Sequence, residues 1–247
     1  MIGWRIERAG TILIAVPAQD PGALDAVGAH EWLMGELLRR LIAQEEVDLV
    51  VDVGGNEGQF VDAIRRHGYR GRILTFEPNP SCVRLLRDKV AADPLWELVE
   101  CALGSESGIG VLHVSTSSEF SSLAVASELG RELFPGSLGT SQVTSVDVRR
   151  LDEVEHDWLR AASSMLLKID TQGHDAFVLK GAESLLDRSS VIVRELAVVP
   201  IYEGAEVIES SLGTLRSLGY VPVGFFPVAR GSRLGLVEAD GVFVRGA

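Results

Sequence analysis

The chain has 247 residues and a formal net charge of −12, from 23 Lys and Arg against 35 Asp and Glu. That length suits one α/β domain with a small N-terminal addition, and an acidic chain without a basic run speaks against nucleic acid and anionic membrane surfaces as partners. Two cysteines, Cys82 and Cys101, lack metal-ligand spacing and make no disulfide framework, which points to buried thiols in a reducing compartment, the cytoplasm.

Met1 to Val16 contains Arg5, Glu7 and Arg8 and no long apolar core, so it does not read as a signal peptide. No stretch reaches the ~18 apolar residues of a membrane span. Thr11 to Val16 predicts a strand, paired with residues 4–8 and ended by Pro17 and Pro21. Residues 30–45 predict a helix with Leu33, Leu37, Leu38 and Leu41 on one face. Residues 1–45 are therefore expected to form an extension that packs on the main sheet or lids its pocket.

The run Val50-Val51-Asp52-Val53-Gly54-Gly55-Asn56-Glu57-Gly58-Gln59-Phe60 reads as a strand, a glycine turn and a helix, Asn56 to His67. A second strand, Arg72 to Glu77, ends in an acid. Strand, glycine turn, helix, strand and acid is how an open α/β sheet builds a nucleoside pocket, with the acid accepting from ribose hydroxyls and the glycines letting the backbone approach the ligand. A dinucleotide fingerprint would need glycine where Asn56 and Gln59 stand, which disfavours a nicotinamide oxidoreductase. With no pyrophosphate to cradle and with Glu57 on the turn, a cationic nucleoside fits better, and S-adenosylmethionine (SAM) is one.

Asn79 then caps a helix with Pro80 at its first position, and Trp96 to Cys101 is a third strand. Gly110–Ser115 and Val143–Val148 read as strands flanking a loop rich in Ser, Gly and Thr, 115–140, expected to contact substrate. Alternation resumes with a strand Met165–Asp170, a helix Asp175–Leu186, a strand Val191–Leu196 and a helix Glu206–Leu218. Tyr220–Phe226 and Gly241–Val244 close the sheet as an antiparallel pair.

Four strands finish at or beside an acid: Asp52, Glu77, Asp170 and Glu195. Ligands of open α/β sheets sit at these carboxyl ends. Lys168 and Asp170 share a strand face, and a lysine inside a central strand needs an acid partner. His174 titrates near neutrality and is a candidate base, against the plainer reading of a solvated helix-start histidine. Asp175 favours the helix dipole. His30, His67, His113 and His156 fall in no constellation.

Taken together, VVDVGGNEGQF, FEPNP, ECALG, SSL and LLKIDTQGHDAFVLKGAESLL resemble the FkbM-type SAM-dependent methyltransferases over roughly residues 48–225. The resemblance implies a class I methyltransferase fold, a doubly wound, Rossmann-like α/β sheet of seven strands in the order 3-2-1-4-5-7-6 with an antiparallel last strand, spanning 46–247. It implies that Asp52, Gly54, Asn56 and Gly58 line the methionine part of SAM, that Glu77 binds the ribose with Pro78 near the adenine, and that Cys101 and Ala102 flank the adenine. Ser121 and Ser122 match the family's paired serines near cofactor or acceptor. Asp170 and Gly173 match its Lys-x-Asp-x-x-Gly signature, and Glu195 its fifth-strand acid. The chain departs from the pattern at Gly173-His174-Asp175, where Gly-Ala-Glu is usual, and at Cys101, where Asn is common.

Asp170, His174 and Glu195 are thus the candidate catalytic residues. The reading is an O-methyltransferase acting on a hydroxyl of a small molecule, a sugar or polyketide-type natural product. Mg²⁺ held by Asp170 and Glu195 is the less favoured route to an activated hydroxyl. An N-methyltransferase and a non-catalytic SAM-fold scaffold are the alternatives, and a homodimer is compatible with either.

Overall fold

The structure, a computed structural model, describes the backbone of residues 4–9, 12–17, 26–230 and 235–246, with side chains described for 30–229 and 235–246. Strands β1 (Trp4–Ala9) and β2 (Ile12–Pro17) pair antiparallel as a separate ribbon, as the sequence predicts, while Thr11 and Pro21 lie outside the described residues. Helix α1 (Ala26–Gln44) follows.

The apolar runs become largely buried strands. These are β3 (Leu49–Val53), β4 (Arg72–Phe76), β5 (Trp96–Val99), β9 (Met165–Ile169) and β10 (Ser189–Ala197), all parallel to one another. Of these, β5 at the sheet edge is half exposed. Between β5 and β9 come β6 (Ala102–Leu103), β7 (Gly108–Ser115) and β8 (Thr140–Arg149). Strands β11 (Tyr220–Arg230) and β12 (Leu236–Arg245) end the chain. The main sheet has the order β11-β12-β10-β9-β3-β4-β5, with β12 antiparallel to both neighbours. That is the class I methyltransferase order the resemblance implies. The chain leaves β3 toward β4 and β5, then returns to the other side at β9, so the switch point where such sheets bind ligands lies between β3 and β9.

Helices cover both faces. Leu38 and Leu41 of α1 join Val61 and Ile64 of α2 (Gln59–Arg66) and Leu86 of α3 (Pro80–Ala92) in one buried layer. Asn79 caps α3 by accepting from the Ser81 amide at 3.0 Å, and Pro80 takes the first helical position. The opposite layer holds Val178 and Leu179 of α6 (Asp175–Gly181) and Leu215 of α7 (Ile208–Ser217), the short helices α4 (Glu128–Leu133) and α5 (Asp157–Ala161) having come before in the chain.

The predicted helix 175–186 is two pieces, α6 and a 3-10 segment Glu183–Arg188. The break sits where a Cβ on Gly181 would come within 2.0 Å of the Gly104 carbonyl oxygen, so close approach to β6 governs this stretch. The 115–140 loop is also ordered by its own core. Phe120, Phe134 and Leu138 pack with Ile201, Tyr202 and Val237. Strands β6, β8 and β7 beneath it form a small separate sheet.

Candidate active site

The site is assembled at the carboxyl ends of β3, β4, β9 and β10. The glycine turn starts where β3 must stop: Gly54 (φ 75) and Gly58 (φ 88) are left-handed, as is Asn56 (φ 45). The amides of Gly54 and Gly55 both reach the Phe76 carbonyl, at 3.0 and 3.2 Å. A Cβ on Gly54 would lie 1.9 Å from the Asp170 carbonyl oxygen, and one on Gly55 would lie 2.2 Å from Thr75 Cγ2. Contact with neighbouring strands therefore demands these glycines, beyond any need of a ligand for close approach.

Asp52 is fully buried, and Lys168 Nζ lies 3.2 Å from its Oδ1. Thr75 donates its hydroxyl to Asp52 Oδ2 (3.2 Å) and accepts from the Trp96 indole (2.9 Å). Lys168 also reaches Asp170 Oδ2 at 3.4 Å and donates to the Gly54 carbonyl at 2.7 Å. Burial works to lower the Lys168 pKa, and the carboxylates of Asp52 and Asp170 outweigh it and raise it, so the lysine is charged. The ion pair foreseen for Lys168 is present, and it braces the turn from below. Asp52 and Gly58 stand behind the cavity wall, away from the expected lining of a methionine pocket: Asp52 is spent on Lys168 and Thr75, and a Cβ on Gly58 would meet Trp96 and Leu86.

A single cavity of about 1600 Å³ runs over these strand ends. One half is lined by Gly54, Gly55, Asn56, Glu77 and Pro78, with Cys101, Ala102 and Leu103 forming an apolar flank. Glu77 accepts from the amides of Asn56 and Asn79, each at 2.7 Å, one on each carboxylate oxygen. Each oxygen keeps a lone pair for a further donor. Burial pushes the Glu77 carboxyl up to about 7 against these two amides and Lys168. A carboxylate with two open acceptor positions beside a thin apolar slot fits a ribose diol and an adenine, so these residues suit SAM. Cys101 and Cys82 are free and buried, and burial pushes their thiols up to about 11 and about 12.

Asp170 and Glu195 line the cavity toward β10, while His174 lines it next to the apolar flank, where a Cβ on Gly104 would lie 3.2 Å from its Nε2. Gln172, a site residue that the sequence does not signal, stands between the two acids. It is left-handed (φ 55) and buried, and its amide nitrogen donates to Asp170 Oδ1 (3.2 Å) and Glu195 Oε2 (3.0 Å). Its Oε1 lies 2.9 Å from the Tyr202 hydroxyl, whose single proton is shared with the Phe120 carbonyl at 3.0 Å. Ser122 donates to the Gln172 carbonyl at 2.6 Å and accepts from the Ala124 amide, which ties the 115–140 loop to this turn. Ser121 accepts from the Ser115 amide at 3.1 Å. Asp175 is buried and receives the amide and hydroxyl of Thr171, closing the turn at the start of α6. His174 stacks on Phe177 (4.6 Å, 19°), and burial lowers its pKa, favouring the neutral ring.

Two further acids complete this wall. Glu238 and Asp240 of β12 line the cavity beside Glu195. The predicted last strand starts at Gly241, three residues past Glu238 and one past Asp240, so it leaves both out. Their spacing of two in Val237-Glu238-Ala239-Asp240 was the available signal, since it puts both on one strand face. Burial first, then the surrounding carboxylates, pushes Glu238 up to about 8, Asp240 up to about 7 and Glu195 well above the usual range.

These raised values set the sign of the pH dependence. Glu238 and Asp240 ionise near pH 4 in the unfolded chain and only near 7 to 8 in the folded one, and Glu195 shifts in the same direction. Their stabilising contribution is whole below about pH 4 and is lost as pH rises through 7 to 8, at up to about 1.4 kcal/mol per pH unit per group. Urea unfolding at stepped pH is expected to show stability falling from about pH 5 to 8, with a shallower fall in Glu238→Gln. A flat or rising profile would contradict the burial of these acids.

Among the described residues no helix is long and apolar enough to cross a membrane, and no group of three or more His, Cys, Asp or Glu is placed to hold a metal ion.

A sequence profile described as the methyltransferase FkbM domain matches residues 52–222. No protein of curated function matches the chain significantly in sequence. Among solved structures, the chain is similar to a methyltransferase FkbM from Methylobacillus flagellatus KT (12% identity, TM-score 0.48), covering 80% of this chain and 43% of that one. It thus spans less than half of that relative's length. It is also similar to a putative S-adenosylmethionine-dependent methyltransferase from Listeria monocytogenes (8% identity, TM-score 0.49, covering 89% and 99%). A third likeness is to the 1,6-didemethyltoxoflavin-N1-methyltransferase of Burkholderia thailandensis, solved with its substrate and S-adenosylhomocysteine (11% identity, TM-score 0.45, covering 88% and 79%).

Proposed function

The chain belongs to the FkbM methyltransferase family, and from this premise we propose that it transfers a methyl group from SAM to a hydroxyl of a small molecule, a sugar or polyketide-type natural product. The observation that supports this reading is the continuity of the cavity. The cavity that offers Glu77 to a ribose is also lined by Asp170, His174 and Glu195, which are open to an acceptor.

When bound, SAM supplies a methyl group on a sulfonium, open to in-line displacement. The protein holds the cofactor half with Glu77 and the glycine turn, which leaves the acceptor half to place the hydroxyl. Holding the reacting groups in line supplies on the order of 7–11 kcal/mol in favourable cases. A hydroxyl becomes a competent nucleophile as its proton leaves. His174 takes that proton in this reading, because its desolvated ring is neutral at neutral pH. Asp170 and Glu195, held at a fixed spacing by Gln172, orient the acceptor. That bridge also favours a metal-independent route, since both acids that would hold Mg²⁺ already accept from one amide.

Incubation of the purified chain with SAM and a panel of sugars and polyketide alcohols, read by mass spectrometry and NMR, is expected to show O-linked methyl groups. Activity is expected to survive EDTA, and His174→Ala is expected to lower kcat by about 10²-fold or more while S-adenosylhomocysteine still binds. Tight S-adenosylhomocysteine binding without transfer to any acceptor would favour the scaffold reading, and methyl groups on nitrogen would favour N-methylation.

A further inference from the structure

The acceptor half of the cavity carries more carboxyl groups than positioning a hydroxyl requires. Strand register puts the acids on one face of the sheet. Lys168 stands beside Asp52 and Val193, Asp170 and Glu195 lie two residues further along their strands, and Asp240 is directly opposite Glu195. Glu238, two residues before Asp240, shares its face. Lys168 is committed to Asp52 and Asp170. Among the described residues no cation makes an ion pair with Glu195, Glu238 or Asp240, and the charge of Lys168 acts on Asp240 only from further off. Like charges directly opposite on neighbouring strands are destabilising, so ionising this wall is costly in the empty protein.

Glu238 supplies an observation independent of the cluster. Its side chain is 4% exposed and faces the cavity, yet it has no hydrogen bond or ion pair among the described residues. A buried carboxylate without a partner is one that a ligand can complete. The chemistry of that ligand follows from spacing. A metal ion draws its oxygen ligands in to about 2.0–2.6 Å, and no three such side chains converge that closely among the described residues. An alkylammonium instead reaches up to three separate acceptors at about 2.8 Å each, which suits acids spread over adjacent strands ~4.8 Å apart.

The location assigns the group to the acceptor. Strands β10 and β12 lie on the far side of β9 from β3 and β4, which carry the glycine turn and Glu77. We propose that Glu195, Glu238 and Asp240 form a subsite for a protonated amine, so that the methyl acceptor is an amino alcohol whose ammonium docks here while its hydroxyl is methylated. The proposal rests on the cavity's being a methyltransferase site.

Calorimetry on the full chain tests it with two probes of one shape, trans-4-aminocyclohexanol and trans-cyclohexane-1,4-diol, titrated into protein saturated with S-adenosylhomocysteine. The amino alcohol is expected to bind about tenfold or more tightly than the diol. Glu238→Gln and Asp240→Asn are each expected to shrink that preference to about twofold or threefold while leaving S-adenosylhomocysteine affinity unchanged. Thermal melting of each variant checks folding, and removing one repelling charge is expected to maintain or raise the melting temperature. Equal affinities, no binding of the amino alcohol, or a preference untouched by both variants would overturn the subsite. Failure of S-adenosylhomocysteine itself to bind would instead overturn the methyltransferase reading of the cavity.

Discussion

Lys168→Met is expected to destabilise the protein by about 3–5 kcal/mol, because it leaves a buried carboxylate without its counter-charge. Asp52 is wholly enclosed, and Thr75 alone cannot offset a desolvated negative charge. Asp52→Asn is expected to cost less, since Lys168 keeps Asp170 and the Gly54 carbonyl. The double variant is expected to recover much of the loss, because a neutral pair needs no counter-ion. Urea unfolding of the four proteins forms a double-mutant cycle whose coupling reports the pair. A cycle with no coupling would show that Lys168 draws its stability from the Gly54 carbonyl or from Asp170. The same substitution removes a donor from the glycine turn, so the surviving folded fraction is expected to bind S-adenosylhomocysteine weakly.

The second large effect is expected at Glu77. Glu77→Ala should weaken S-adenosylhomocysteine by about 100-fold or more, the loss of two charge-assisted hydrogen bonds to a ribose. Glu77→Gln should fare little better. Both carboxylate oxygens already accept a backbone amide, so a glutamine would turn its NH₂ onto an N–H of Asn56 or Asn79, donor against donor. Both variants are also expected to melt earlier without ligand, because they strand buried amides. Calorimetry with S-adenosylhomocysteine decides the matter: near-native affinity in Glu77→Ala would place the nucleoside elsewhere in the cavity. Comparison with adenine, which lacks the ribose, separates the sugar contacts, since its affinity is expected to change much less.

The cofactor half was largely legible as sequence. Apolar runs stopping at an acid or a glycine, and Asn79-Pro80 opening a helix, are local signals that act within a few residues of one another. The acceptor half was not. Asp170 and Glu195 were visible as strand-end acids, yet Gln172, which holds them at one spacing, reads as an ordinary polar residue until Tyr202 and Phe120 close around it. Those contacts join segments 30 and 82 residues apart in sequence.

Sequence by itself determined the alternating α/β architecture, the position of the glycine turn and the need of Lys168 for an acid, because periodicity, chain stiffness and desolvation act locally. Tertiary structure alone decided that Asp52 braces the turn from behind, that Gly54 and Gly55 are required by neighbouring strands, and that Glu238 and Asp240 join Glu195. Each depends on which strand lies beside which. That order is set by burying two helix layers against one sheet, and no short stretch of the chain encodes it.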